Sequence, residues 1–584
     1  MNGERRVLLE SYDRKRYPRS YCFTGLVEEI AAHSRQEVIP ALRRVEAAAA
    51  GGMHAAGFVS FEAAAGFNRE LVTHPPGHFP LLWFGIYTQR SAALVKEKHE
   101  KGGSFEASGW TSSMSRETYA AAIDRIKEYI ASGDTYQTNF TLRQRFRLKG
   151  EPFAFYRNLC RAQRAPFCAF LDIGRFQILS ASPELFFELR DGLLTARPMK
   201  GTATRGRWHG EDEEVQQHLK KSEKERAENL MIVDLLRNDM GMVSETGSVA
   251  VQSMFDVEIL ETVHQMTSTI TSRVKPDIGI IDLFQALFPC GSVTGAPKKR
   301  TMEIIRELED APRGLYTGCI GYVSPGGEAL FSVAIRTIVI DGTTGLGELG
   351  VGSGITWDSE ASAEYDECLA KGRFACTPVP EFQLIETLLF EKGKGYFLLE
   401  RHLARLYRSA AYFGFNIRLD LVTEVLKKRA VPLTGSHKVR LLLSRKGAFS
   451  MQTEPVAVQP AEEAAAVTFA ESSVDSQNPF LYHKTTNRPL YAEELARQPS
   501  RADVIFFNER GEVTEGANNN IVAKIGGELI TPPLPSGLLP GTFREELLES
   551  HVIKEKVITR EELELAEEIY LINSVRKWRR VKIM

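Results

Sequence analysis

No apolar run in this chain of 584 residues reaches the roughly 18 residues of a membrane-spanning helix, which argues against a helical membrane protein. An excess of one charge is also missing. Its 73 Lys and Arg face 75 Asp and Glu, a net charge of -2, so the composition does not mark a dedicated binder of nucleic acid or of membrane surfaces. Cysteine pairs are lacking: the 7 cysteines, an odd number, are scattered with no CxxC. That pattern disfavours a disulfide framework or a zinc site and fits reduced thiols in a cytoplasmic protein. The opening stretch MNGERRVLLESYDRKRY has no apolar signal-peptide core, so export is not expected. Short-period repeats and low-complexity tracts are absent as well, and the alanine runs at 47–50 and 63–65 read as tight helix packing. What is present, 43% hydrophobic and 25% charged residues, is the composition of a globular protein. At about 150 residues per domain the length allows about four small units or two large ones.

The clearest seam is CTPVPEF (Cys376–Phe382), where Pro378 and Pro380 follow a helical pattern that ends near Phe374. Proline disfavours helix at the residue before it, so this stretch reads as a linker. Beyond it come the alternating, strand-like FQLIETLLF and the helix-like LERHLARLYRSAAYFG, closed by Gly414 as a C-terminal cap. The chain is therefore cut into 1–375, a linker at 376–381, and 382–584.

Two glycine-rich stretches imitate nucleotide sites. GLGELG (Gly345–Gly350) satisfies G-x-G-x-x-G but lacks the strand-turn-helix setting and the downstream acid, and in GSVTGAPKKR Ala296 and Pro297 separate Gly295 from Lys298. Both supply backbone N–H groups that can approach an anion, and a dicarboxylate suits them as well as a phosphate. Two helical patterns, over 220–240 and 359–374, set Glu225 one turn from Glu228 and Glu364 one turn from Glu367, which by itself reads as a solvated face. TARPMKGTATRG (Thr195–Gly206) puts Lys200 on a glycine-flanked turn after a strand-like run, Phe186–Leu194. Such a lysine is either a solvated surface residue or a nucleophile.

The company Lys200 keeps points to the second reading. SASPELFF (Ser180–Phe187), KERAENLMIVDLLRNDMG (Lys224–Gly241), GSVTGAPKKR (Gly291–Arg300), AIRT (Ala334–Thr337) and AEYDEC (Ala363–Cys368) together resemble the chorismate-utilising enzymes. PMKGT is similar to their aminodeoxychorismate synthase component I branch, where anthranilate synthases typically have alanine at the lysine. The resemblance is strong from Thr118 to Phe374 and weaker before, where FVSFEAAAGF is the one familiar phrase. It implies an α+β domain of antiparallel sheets with outer helices. It implies that Lys200 attacks ring carbon 2 of chorismate before ammonia enters at carbon 4, with Glu184 as acid/base. Glu228 and Glu367 match ligands of a magnesium ion that receives the ring-bearing carboxylate, with Glu225 and Glu364 acting through water; hard oxygen donors and retained waters suit magnesium. Lys298, Arg336 and the amides around Gly352, Ser353 and Gly354 match carboxylate anchors, and Thr294, His264 and Tyr322 lie in further substrate-binding segments. Gln137 stands where the water-adding isochorismate and salicylate synthases carry a lysine base. Glutamine cannot deprotonate water, which favours an amine as the incoming group. Cys290 occupies a glycine position of the family motif, and no cysteine lies in a G-x-C-x-G elbow, so ammonia is expected from a separate glutamine amidotransferase subunit.

The C-terminal half carries YHKTTNR (Tyr482–Arg488), EVTEGANNNIV (Glu512–Val522), PSGLLPGTFREELL (Pro535–Leu548) and IYLINSVRKWRRV (Ile569–Val581), which resemble the class IV pyridoxal-phosphate enzymes. That implies two α+β subdomains with the cofactor between them and allows a homodimer through this half. Lys484 would form the Schiff base, and Glu515 would keep the pyridine nitrogen protonated so that the ring acts as an electron sink. Arg405 matches the phosphate arginine, Gly541 and Thr542 open a helix whose N-terminus suits phosphate, and Asn520 and Asn573 match further positions. Combined, the halves imply conversion of chorismate to 4-amino-4-deoxychorismate and then to 4-aminobenzoate and pyruvate, in the folate pathway. Rival readings are an anthranilate synthase, which Lys200 disfavours, a C-terminal aminotransferase, and an inactive class IV module that binds the amidotransferase.

Overall fold

The computed structural model describes residues 6–13, 15–92, 103–376, 380–456 and 464–584, so residues 377–379 of the expected linker lie outside the described residues. The chain divides into two compact units. One comprises Met1–Thr204 with Gln216–Val379, and the other Arg205–Val215 with Pro380–Met584. Among the described residues, no helix is long and apolar enough to cross a membrane.

In the first unit, hydrogen bonds join 18 strands into one network. Four of its strands and two helices position the candidate site: β1 (Gln137–Gly150), β2 (Met199–Thr204), β3 (Val263–Arg273), β4 (Leu346–Ile355), α1 (Glu223–Val243) and α2 (Ala361–Cys376). β1 obeys the two-residue period of a half-buried strand: Phe146 and Leu148 are buried while Arg145, Arg147 and Lys149 are exposed. It pairs antiparallel with β4 from Arg147↔Leu346 to Thr138↔Ile355, which brings Gln137 and Gly354 to the same end of the ladder. α1 begins three residues later than the pattern predicts, because Ser222 breaks away from the preceding helix (His209–Lys221) and caps α1 by accepting from the Glu225 N–H at 3.4 Å. Its buried face, Ile232, Val233, Leu236, Met240 and Val243, packs into the core, and α2 buries Tyr365, Cys368, Phe374 and Ala375.

Lys200 is not in a turn. It lies within β2, at a break in the pairing with β3 between Met199↔Thr267 and Thr202↔Gln265. Lys200 and Gly201 together span this bulge, with Gly201 at φ +99°, a left-handed conformation that glycine tolerates. A bulge re-aims a side chain out of the alternation of its strand. In sequence this glycine is indistinguishable from a turn signal, because bulges and turns ask for the same residue.

A buried ion pair fixes the end of β1. Arg313 and Glu309, each with a side chain 1% exposed, meet at 2.7 Å. Glu309 also accepts from the Thr141 N–H at 3.1 Å and the Thr141 hydroxyl at 2.8 Å, while Arg313 donates to Asn139 O at 2.6 Å and Val293 O at 2.9 Å.

The second unit holds a four-stranded antiparallel sheet and an eight-stranded mixed sheet. Against the smaller sheet packs α3 (Leu399–Phe413), whose Leu403, Leu406, Ala410 and Phe413 form one buried stripe and which ends at Gly414 with φ 66°. A shorter helix, α4 (Thr542–Glu549), starts at Gly541 beside the larger sheet.

Because removing Arg313 leaves buried Glu309 with only the longer, 3.9 Å contact to Arg143, Arg313→Ala should destabilise the first unit by about 3 kcal/mol. The joint replacement Arg313→Met with Glu309→Leu should recover only part of that loss, since Arg143 then loses its partner. Chemical denaturation followed by tryptophan fluorescence reads both, and a single variant as stable as the parent would contradict the assignment.

Candidate active sites

The first site is built around the Lys200 bulge. A methyl group on Gly354 would lie 2.2 Å from Lys200 Nζ and 2.0 Å from Gln137 Nε2, so any other residue there would push these side-chain ends out of the site. Lys200 Nζ lies 3.5 Å from Glu228 Oε2 on α1. Its carbonyl is held by Asn229 Nδ2 at 3.1 Å, and Asn229 Oδ1 accepts from the Ser268 hydroxyl of β3 at 2.6 Å. Gln265 Nε2 donates to Gly201 O at 2.7 Å, so side chains replace the ladder bonds that the bulge forgoes. Gln137 is 2% exposed, and its Oε1 has no hydrogen-bond partner among the described residues. A buried acceptor left open in this way is suited to a donor brought by a ligand.

Glu184 follows the strand Phe176–Ser182 and is 2% exposed. Burial pushes its carboxyl up to about 7, against the lowering effects of Ser292, the Met199 N–H and the Lys200 charge. The Ser292 hydroxyl donates to Glu184 Oε1 at 2.6 Å and lies 3.2 Å from Cys290 Sγ.

The carboxylates of the two acidic helices sense one another. Burial and then the Glu228 charge raise Glu225, and Glu367 adds to the same effect. Burial opposes the charge of Glu367 too, but Lys371, at 2.6 Å, holds it below the usual carboxylate range. Glu364, one turn earlier on α2, is half-buried and faces the Tyr119 hydroxyl electrostatically. Among the described residues no three His, Cys, Asp or Glu side chains converge to hold a metal ion. As arranged, Glu228 and Glu367 are each matched by a lysine amine, Lys200 and Lys371.

The expected anchors divide. Burial lowers the Arg336 guanidinium to about 10; it donates to Lys371 O, lies 5.4 Å over the Phe374 ring and senses the Glu367 charge. Lys371 Nζ also donates to Gly352 O at 3.0 Å. The Ser353 hydroxyl lies 3.1 Å from Tyr119 OH, and Thr294 Oγ1 donates to Cys290 O at 3.1 Å. Lys298 is engaged elsewhere, with Asp239 Oδ2 at 2.7 Å and Leu287 O at 3.2 Å. His264 is buried on β3 opposite Ala203 of β2. Tyr322 is not brought to these residues: its hydroxyl donates to Glu328 at 2.9 Å, and its ring packs on Tyr21, Phe23 and Arg90. The tyrosine beside Arg336 is Tyr316, against whose ring a methyl on Gly350 would press at 2.1 Å. The chain pattern GLYTGCIGY offers two tyrosines, and only the packing separates them. Asn229, Ser292 and Lys371 were also missed, although Asn229 adjoins Glu228 and Ser292 sits inside GSVTG.

The second site gathers Lys484, Arg405, Glu515, Asn520, Gly541 and Thr542. Burial, reinforced by the Arg488 and Arg405 charges, pushes the Lys484 amine down to about 7. Glu515 is 2% exposed and accepts from Arg488 at 3.1 Å, Tyr491 OH at 2.9 Å, the Leu539 N–H at 3.1 Å and Asn520 Nδ2 at 3.4 Å, while burial still raises its carboxyl. Glu386, absent from the sequence reading, accepts from Arg405 at 2.7 and 3.0 Å and lies 2.6 Å from His402 Nδ1. His402 Nε2 in turn reaches Thr542 Oγ1 at 3.3 Å, and Arg405 donates to Pro540 O at 3.1 Å, which ties α3 to the start of α4. A methyl on Gly541 would lie 1.9 Å from Asn520 Oδ1. Asn573 serves a local turn, accepting from the Val575 and Arg576 N–H groups. A neutralisable amine, a carboxylate held by four donors, and an arginine beside a helix N-terminus fit the aldehyde, pyridine nitrogen and phosphate of pyridoxal phosphate.

Comparison with known proteins finds a family model for each half of the chain. The chorismate binding enzyme model matches residues 5–377, and the amino-transferase class IV model matches residues 383–584. Aminodeoxychorismate synthase component 1 of Klebsiella aerogenes is 46% identical over 45% of this chain, and the chain spans 58% of that protein's length. Anthranilate synthase component 1 of Methanothermobacter thermautotrophicus is 33% identical over 54% of this chain and 72% of its own. The crystal structure of anthranilate synthase component I from Streptococcus pneumoniae superposes with a TM-score of 0.54 at 26% identity, covering 65% of this chain and 95% of that one. With the family model running through the whole first site, from β1 to α2, the chain belongs to the chorismate binding enzyme family.

Proposed function

We propose that the chain makes 4-aminobenzoate in two steps: amination of chorismate to 4-amino-4-deoxychorismate at the first site, then elimination of pyruvate at the second. The observation that carries the first step is the Lys200 amine, lifted out of its strand and set beside Glu228, Gln137 and Gly354. After passing a proton to the adjacent Glu228 carboxylate, the neutral amine attacks ring carbon 2, which shifts both ring double bonds and expels the 4-hydroxyl. Hydroxide is a poor leaving group, and Glu184, which retains its proton up to about pH 7, can release it as water. Ammonia then enters at carbon 4 and Lys200 leaves carbon 2, so one hard substitution becomes two easier ones. The open Gln137 Oε1 is suited to accept a hydrogen bond from ammonia and has no basicity to activate water. Ammonia would come from a separate glutamine amidotransferase subunit, or from free ammonia in vitro. Glu228 and Glu367 would hold the magnesium ion that the family resemblance implies, with Glu225 and Glu364 acting through water, once Lys200 and Lys371 swing away from them.

At the second site Lys484 would hold pyridoxal phosphate, with Arg405, Gly541 and Thr542 at its phosphate and Glu515 at its pyridine nitrogen. When bound, the cofactor supplies an electron sink. The Lys484 amine, neutral above about pH 7, can take the proton from ring carbon 4 as the carbon 3–oxygen bond breaks, which aromatises the ring and releases enolpyruvate. The class IV model is named for amino-transferases, so transfer of the amino group to a keto acid is the competing reading. The pathway is that of folate, and the setting cytoplasmic.

With chorismate, ammonia, magnesium and pyridoxal phosphate supplied, mass spectrometry should find 4-aminobenzoate and pyruvate; 2-aminobenzoate, or an aminated keto acid, would sink the reading. Lys200→Ala should abolish the 4-amino product while chorismate still binds by calorimetry, and undiminished turnover in that variant refutes the nucleophile.

Because Glu184 must be protonated to act as an acid, amination should fall as the pH rises through about 7. Glu184→Gln should lower the rate on the order of 10²–10⁴-fold and remove that limb of the profile. An unchanged limb in the variant assigns the titration to another group.

Lys484→Ala should release no pyruvate and accumulate 4-amino-4-deoxychorismate, detected by mass. Normal formation of 4-aminobenzoate by this variant would contradict the division of labour.

A further inference from the structure

Arg205 follows directly on β2, yet Arg205–Val215 packs as part of the second unit. A buried pair makes this segment a tight hook: Arg205 and Asp212 meet at 2.7 Å with side chains 7% exposed, and Asp212 accepts from the Gly206 N–H at 2.9 Å. A methyl on Gly206 would lie 2.2 Å from Asp212 N, so the hook closes only around glycine. From it, Arg205 donates to Tyr412 O at 3.0 Å, in the last turn of α3, where a cation complements the negative end of the helix dipole. The Tyr412 hydroxyl returns a bond to Gly206 O at 2.7 Å.

The next two residues reach the strand of chain that bears Lys484. Arg207 donates to Tyr482 OH at 3.3 Å and Ser476 O at 3.4 Å, and the Trp208 ring lies 5.0 Å from the Tyr482 ring. Tyr482 is 1% exposed and donates to Ser476 O at 2.8 Å. Between it and Lys484, His483 is buried, with its Nδ1 3.0 Å from Ser409 Oγ of α3 and its ring 4.3 Å from the Tyr412 ring. The hook therefore touches both elements that position the cofactor groups: α3, which carries Arg405, and the Tyr482–Lys484 segment.

We propose that Arg205–Trp208 is a positioning segment of the Lys484 site, and that the class IV unit binds its aldehyde phosphate cofactor properly only with this segment in place. The proposal rests on the pyridoxal phosphate reading of that site. The hook touches neither cofactor nor substrate; it acts by holding Tyr482 and the C-terminal turn of α3 against each other. A buried tyrosine deprived of its ring partner and hydrogen bond gains rotamers, and the lysine two residues on loses its fixed approach.

The test uses the full chain and pyridoxal phosphate itself. Arg207→Ala and Trp208→Ala should each weaken cofactor binding by about tenfold in an absorbance titration, the former through loss of its bonds to Tyr482 and Ser476 and the latter through loss of an aromatic contact. They should also move the pH midpoint of the visible cofactor band, while ammonia-dependent consumption of chorismate stays at the parental rate. Arg207→Lys and Trp208→Phe, which preserve charge and ring, should restore affinity and midpoint. If the parent chain shows no cofactor band, the pyridoxal phosphate reading falls and the proposal with it. A band in the parent with unchanged affinity and midpoint in both alanine variants overturns the positioning role alone. So does a parallel loss of chorismate consumption and thermal stability, which would make the hook a general stabiliser.

Discussion

Arg313 and Glu309 meet at 2.7 Å out of reach of water, and the backbone groups they hold set the geometry of the first site. Glu309 fixes Thr141, and Arg313 fixes the carbonyls of Asn139 and Val293. The first two lie on β1, a few residues from Gln137, and Val293 adjoins Ser292, whose hydroxyl holds Glu184. A pair of charges at low dielectric tolerates little displacement, since any separation leaves two poorly solvated ions. Gln137 and Glu184 thus inherit their positions from a group that touches neither. The Lys200 bulge is secured from the other side, by Asn229 and Gln265, so the amine projects where the ladder has been replaced by side chains.

Burial tunes the two sites in opposite directions toward the same pH. It raises the Glu184 carboxyl to about 7 and lowers the Lys484 amine to about 7. In each case the low-dielectric surroundings penalise the charged form, which leaves one group a proton donor and the other a free amine near neutrality. Glu386 shows the opposite balance. It is as buried as Glu184, yet the Arg405 and His402 contacts outweigh burial and hold its carboxyl down at about 2. It therefore stays charged and fixes Arg405 near the start of α4. In the first unit Lys371 does the same for Glu367, holding it below the usual carboxylate range against burial.

Much was legible in the chain alone. The acidic pairs Glu225/Glu228 and Glu364/Glu367 and the helix ending at Gly414 follow from local periodicity, while the class of both halves and the set Arg405, Lys484, Glu515, Gly541 and Thr542 rest on motifs that resemble two enzyme families. Such signals survive because they depend on neighbours a few positions apart. Lys200 reads as a turn residue in the chain and lies in a strand bulge in the fold, since glycine at positive φ serves a turn and a bulge alike.

Tertiary structure decided the rest. Tyr316 rather than Tyr322 stands beside Arg336, because strand packing sends the latter into the Tyr21 and Phe23 cluster. Lys298, a natural anion anchor by sequence, is instead neutralised by Asp239, far away in the chain. Asn229, Ser292 and Glu386 owe their roles to partners brought together only by folding. The same is true of Arg205–Val215, which a linear cut assigns to the first half and which packs with the second. Sequence by itself determined which chemical groups are available and the local elements that carry them, because those rest on side-chain type and short-range geometry. Which of the groups meet, and which are tuned by burial, was decided only when residues distant in the chain were packed out of water.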